Sequence, residues 1–230
     1  MAVDNHAFEP GRRNALYLLA GGSLLLGAGQ VRAAVPACVL TPEQTEGPYF
    51  VDGNLNRSDI RTDPVTGKAS AGVPLQLQLH VSAIRDGNCQ PLPGAVVDIW
   101  HCDADGVYSG VEGSPGLFLR GLQVADAAGV VNFTTIYPGW YPGRAVHIHF
   151  KIRVAAAGGR SDVLTSQLYF DDAITDQVYR LQPYAKRPNR QPRNGGDSLF
   201  QYDQGRQLLL KPAGDAKGYV ARFDIGLVLG

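Results

Sequence analysis

Leu75-Gln76-Leu77-Gln78-Leu79-His80-Val81 alternates apolar and polar residues, the period-two pattern of a strand with one face in a core. Branched and aromatic runs predict further strands at residues 95–101, 130–136, 145–154, 166–170, 208–210 and 220–229. Turn signals separate them at 84–93, 103–106 and 126–129, and the segment 38–72 is too polar and Pro-punctuated for regular structure. One short helix is expected, over 174–184, followed by a polar loop through Ser198. No helix–strand alternation, repeat or phosphate-binding Gly-rich loop is present, so the pattern predicts an all-β sandwich of about seven to nine strands, with long irregular loops and little helix.

Of 230 residues, 44% are hydrophobic, enough for one substantial core, and 28 Gly with 15 Pro agree with many turns. Lys+Arg and Asp+Glu balance at 21 each, which argues against nucleic acid or a charged membrane surface as partner. Residues 1–34 differ: Arg12-Arg13 precede a Gly- and Ala-diluted apolar stretch that is short for a membrane span, ending near Ala33-Ala34. This reads as a twin-arginine signal peptide, so the mature chain is expected to be periplasmic or extracellular, without a membrane anchor. The expected division is a signal over 1–34, an irregular segment packed on the core over 35–72, and the sandwich over 73–230.

Three Cys in an exported chain allow one disulfide and leave one thiol. If 93–101 is extended, Cys89 and Cys102 lie beyond the Cα separation of about 7 Å that a bridge tolerates, which favours Cys38 with either one.

Chemistry enters at His147 and His149, which share one strand face at i and i+2, about 6–7 Å apart at their Cα atoms, and can converge on a metal. The other His residues, at 6, 80 and 101, stand apart, and an isolated pair of this kind is also met as ordinary strand histidines. Such a site needs anionic partners. No Glu follows within a few residues and only one thiol, Cys102, is near, whereas Tyr141 and Tyr108 lie on the loop before His147 and beyond another strand end. Two phenolates and two imidazoles would be a hard donor set suited to Fe(III).

At these residues the chain resembles the intradiol ring-cleavage dioxygenases, specifically the core shared by the protocatechuate 3,4-dioxygenase chains. The likeness runs through Pro91-Leu92-Pro93-Gly94-Ala95-Val96-Val97-Asp98-Ile99-Trp100, Asp105-Gly106-Val107-Tyr108-Ser109, Tyr137-Pro138-Gly139-Trp140-Tyr141-Pro142 with Arg144, His147-Ile148-His149-Phe150, Gln167-Leu168-Tyr169-Phe170 and Arg222-Phe223-Asp224-Ile225. It implies a prealbumin-like sandwich and non-haem Fe(III) held by Tyr108, Tyr141, His147 and His149. It further implies insertion of both atoms of O2 into a catecholic substrate, opening the ring between the hydroxyl-bearing carbons to a cis,cis-muconate-type diacid. By the same likeness Tyr141 leaves the metal and accepts a substrate proton, Arg144 stabilises negative charge, and Gln167 supports Arg144. Tyr49 and Trp100 are candidate substrate contacts, although Trp100 suits a core equally; Tyr137 and Tyr169 are expected to pack. Only Pro142 to Val146 separate Tyr141 from His147, short for this family, which leaves the identity of the catechol open. No helical domain like that of the catechol and hydroxyquinol branches is seen at the N-terminus, so dimerisation through such helices is not expected, and the oligomeric state is undetermined. The alternatives are a non-catalytic prealbumin-like binding module and a copper or zinc protein using the two His residues.

Overall fold

In the computed structural model, residues 39–111, 113–156 and 159–229 are described. The expected signal over 1–34 and Cys38 lie outside them. The chain forms β1 (Pro74–Arg85), β2 (Asn88–Pro91), β3 (Val96–Trp100), β4 (Arg120–Val124), β5 (Val130–Ile136), β6 (His147–Ala156) and β7 (Gly159–Phe170). There follow α1 (Asp172–Val178), α2 (Ser198–Tyr202), β8 (Leu209–Leu210), β9 (Ala213–Asp215) and β10 (Gly218–Leu227). One sheet runs β2-β1-β10-β9 with β5 also on β1, and the other runs β4-β3-β6-β7-β8.

Two sheets facing each other need one apolar face apiece, and the alternation supplies it. Leu75, Leu77, Leu79 and Val81 of β1, with Val131 and Phe133 of β5, meet Val97 and Ile99 of β3 and Ile148, Phe150 and Ile152 of β6 in one buried cluster. A β-sandwich is thus the architecture. The odd-numbered residues of β6, from His147 to Arg153, point out of the opposite face yet are buried as well. What covers them is largely the irregular stretch before β1. Lys151 pairs with Glu46, Arg153 with Asp52 at 3.3 Å, and Ser166 donates to the Pro42 carbonyl at 2.6 Å.

Three differences from the sequence expectation have local causes. The first strand runs on to Arg85 and returns as β2, because Asp86 and Gly87 both take positive φ (50° and 75°), the geometry of a two-residue hairpin turn. The helix at 172 starts where Asp171 accepts hydrogen bonds from the Ala173 and Ile174 amides, and it stops at Val178, short of Pro183, whose ring disfavours helix in the residue before it. A second helix, α2, is capped by Asp197 inside the stretch expected to be loop. Among the described residues no helix is long and apolar enough to cross a membrane. Cys89 is disulfide-bonded and Cys102 is a buried free thiol.

Candidate metal centre

β6 brings His147 and His149 to one face, and its neighbours fix what surrounds them. Trp100 of β3 and Gln167 of β7 lie beside His149 in register, and Tyr169 of β7 beside His147. Tyr108 comes from the turn after β3 and Tyr141 from the loop before β6. Those two connections touch backbone to backbone, which only glycine allows. At Gly106 φ is +81°, and a Cβ there would meet the Trp140 carbonyl oxygen at 2.2 Å. Gly106→Ala is therefore expected to cost at least about 1–3 kcal/mol for the left-handed backbone alone, and to displace Tyr141, the residue after Trp140. Melting temperature and metal uptake should fall together; wild-type values for both would show that the close approach is unimportant.

Four donor atoms converge. His147 Nε2 lies 3.0 Å from His149 Nε2, 3.4 Å from Tyr108 Oη and 3.3 Å from Tyr141 Oη. His147 Nδ1 donates to the Ala145 carbonyl at 2.6 Å, so its Nε2 carries a single lone pair facing three neighbours. One lone pair cannot satisfy three partners. Donors about 2.1 Å from one metal centre lie about 3.0–3.4 Å apart at angles of about 90–110°, so the spacing fits a cation between them. His149 Nδ1 is buried with no hydrogen-bond partner, a cost without a compensating contact inside the chain.

Electrostatics agree with that fit. Desolvation, then the Arg144 charge, pushes His147 down to about 3, and burial with the neighbouring His147 holds His149 well below its ordinary range. Both imidazoles are neutral, as metal ligands must be. Burial pushes the Tyr141 phenol up to about 12 and Tyr108 well above its ordinary value, so a strongly charged cation is needed to make them phenolates. Among the described residues no three His, Cys, Asp or Glu side chains are grouped so that they could hold a metal ion, which leaves the phenols as the anionic donors beside the two imidazoles.

The two phenols are held differently. Tyr108 is buried, with Tyr49 stacked on its ring at 4.2 Å, and Arg120 grips the Tyr49 and Ser109 carbonyls behind it. Tyr141 is half-buried on a loop whose preceding residue, Trp140, lies under the Arg187 guanidinium at 4.5 Å. Tyr141 is thus the less buried of the two phenols. Trp100 stacks on His149 at 4.9 Å and is 1% exposed, so it backs the imidazole and offers no face to a ligand; Tyr49 stays half-buried.

Arg144 forms no surface ion pair. Its Nε donates to Asp197 Oδ2 at 2.9 Å and its Nη2 to Gln167 Oε1 at 2.5 Å and Tyr169 Oη at 3.1 Å. Tyr169, expected only to pack, donates from its hydroxyl to Gln44 Oε1 at 2.9 Å, and Gln167 Nε2 donates to the Thr45 carbonyl at 2.9 Å. Sequence reasoning missed Gln44, Arg120 and Asp197. Only Asp197 carried a signal, an N-cap residue ahead of Ser198-Leu199-Phe200. A groove of about 600 Å³ lined by Leu40, Pro42, Arg206, Leu209 and Phe223 includes none of these residues and is not the site.

Residues 45–187 match a family model described as dioxygenase. The chain belongs to the intradiol ring-cleavage dioxygenase family. It is similar to an intradiol ring-cleavage dioxygenase from Tetranychus urticae, with 30% identity, a TM-score of 0.73, and coverage of 83% of this chain and 95% of that one. The dioxygenase domain of a dioxygenase carbohydrate-binding fusion from Streptomyces sp. SirexAA-E is 33% identical, with a TM-score of 0.58 over 84% of this chain and all of that domain. Chlorocatechol 1,2-dioxygenase of Pseudomonas sp. (strain P51) is 30% identical over 145 residues, 55% of this chain and 54% of the relative. The family member thus spans about half the length of the curated relatives it matches first.

Proposed function

We propose that this chain is a ferric intradiol dioxygenase acting on a catechol, adding both atoms of O2 to give a ring-opened diacid. The observation that carries the reading is the convergence of His149 Nε2, Tyr108 Oη and Tyr141 Oη on His147 Nε2, each 3.0–3.4 Å from it. Tyr108, Tyr141, His147 and His149 would hold the iron, whose redox chemistry joins O2 to the catechol ring when it is bound. The relatives named catechol and chlorocatechol 1,2-dioxygenases support the substrate class.

The chain's own groups have separate tasks. The Nδ1–H of His147, held on the Ala145 carbonyl, fixes that ring with Nε2 forward. Tyr141 Oη would take one proton from a catechol hydroxyl, forming a neutral phenol, the state its burial already favours. Tyr108, clamped by Tyr49, stays in place. Arg144 supplies a fixed positive charge beside the reacting ring, where negative charge develops.

The test is spectroscopic. Iron-loaded protein should show a broad visible phenolate-to-iron band that moves to longer wavelength with anaerobic catechol, then consume one O2 per diacid formed. A colourless protein after ferric loading would overturn the reading. Export by the twin-arginine route is part of the proposal, supported by the disulfide at Cys89, which suits an oxidising compartment.

A further inference from the structure

We infer that Asp197 is a positioning residue that sets Arg144 in its working geometry beside His147. The inference rests on the dioxygenase reading only for its kinetic consequence. The Asp197 carboxylate is fully buried, and both oxygens are used. Oδ2 accepts from Arg144 Nε at 2.9 Å and from the Ala145 amide at 2.8 Å; Oδ1 accepts from the Leu199 and Phe200 amides at 2.9 and 3.3 Å. One side chain therefore binds the cation of the site, the residue leading into β6, and the start of α2.

Capping α2 does not require a charge, since Ser, Thr or Asn caps as well as Asp. A carboxylate taken wholly out of water is costly unless a cation meets it, and here the cation is Arg144. The peptide of Ala145 extends the reach: its amide is held by Asp197 and its carbonyl holds the His147 Nδ1–H. Asp197 is thus two hydrogen bonds from an imidazole of the metal centre.

The orientation of Arg144 follows from the same contacts. Nε is held by Asp197 and Nη2 by Gln167 and Tyr169, whereas Nη1 has no acceptor among the described residues. With the side chain 17% exposed, the Nη1 edge is the one left to meet a ligand. A planar guanidinium gripped on two edges cannot turn, so its third edge is presented in one direction. Without Asp197 the Nε edge is released and that direction is lost.

Asp197→Ser keeps an N-cap oxygen and removes the charge; Asp197→Asn keeps the shape. In the metal-free protein, the Arg144 Nε–H should exchange slowly in wild type and fast in both variants, read by ¹⁵N NMR of labelled arginine side chains. In the iron-loaded protein, each variant should lose about 30- to 300-fold in kcat per bound iron, but Asp197→Ser should add less than about threefold in an Arg144→Ala background. A merely structural Asp197 would lower melting temperature and iron content while leaving kcat per iron unchanged. Slow Nε–H exchange in the Ser variant, or losses that multiply in the double variant, would overturn the inference. If exchange accelerates while wild type opens no catechol ring, the positioning stands and the proposed reaction fails.

Discussion

Replacing His149 with Leu should abolish iron binding and visible colour and lower ring cleavage at least about 10⁴-fold, without destabilising the metal-free protein. The imidazole is buried between Trp100 and Tyr108, neutral because burial holds its pKa well below the ordinary value, and its Nδ1 has no partner. A buried unsatisfied polar atom costs about 1–3 kcal/mol, which the leucine removes. Against this stands the lost stacking on Trp100, worth about 0.5–1.5 kcal/mol. The balance favours the variant or is near zero, so the metal-free melting temperature should hold or rise by a few degrees, at about 2–4 °C per kcal/mol for a domain of this size. Calorimetry of metal-free protein and iron analysis after loading decide it. A melting temperature that falls by ten degrees would make His149 a structural residue, and wild-type iron content would remove it from the metal centre.

Arg144 should show the opposite pattern, affecting both stability and rate. Arg144→Ala leaves the Asp197 carboxylate buried without its cation, a loss of about 3–5 kcal/mol for a broken buried pair, drawn toward the lower figure by the three amides that still bond it. In the proposed reaction the same change removes a fixed positive charge from beside the ring, which for one such group is worth about 10²–10³ in kcat. Arg144→Lys separates the two effects. An ammonium can still meet Asp197, so stability should largely return, but it cannot also span Gln167 Oε1 and Tyr169 Oη with a second edge left for a ligand. The rate should therefore stay at least about tenfold below wild type in the Lys variant. Full recovery of kcat by lysine would mean that charge alone matters, and an unchanged kcat in both variants would take Arg144 out of the reaction.

The sandwich was legible along the chain because its cause is local. Alternation in 75–81 and the apolar faces of 130–136 and 147–154 determine which side of each strand must leave water, and two such sheets have little choice but to face each other. The pairing of His147 with His149 was legible for the same reason: side chains at i and i+2 share a face wherever the strand lies. The resemblance placed Tyr108 and Tyr141 beside them, and the fold brings their oxygens within 3.4 Å of His147 Nε2. Chain order alone could not show that. Tyr108 follows β3 and Tyr141 precedes β6, and their meeting depends on a backbone contact at Gly106 between segments more than thirty residues apart.

What only the tertiary structure decided is the support behind these groups. Asp197, Gln44 and Arg120 stand 53, 125 and 11 residues from the partners they hold in Arg144, Tyr169 and Ser109, and no periodicity links such positions. Arg144 read alone is an ordinary basic loop residue. It becomes a fixed cation because β6, β7 and the start of α2 close around it, in surroundings where a carboxylate and a guanidinium cannot remain apart. Hydrophobic patterning acts residue by residue and can be read from the chain. The satisfaction of buried charge acts between distant residues and appears only once the chain has closed on itself.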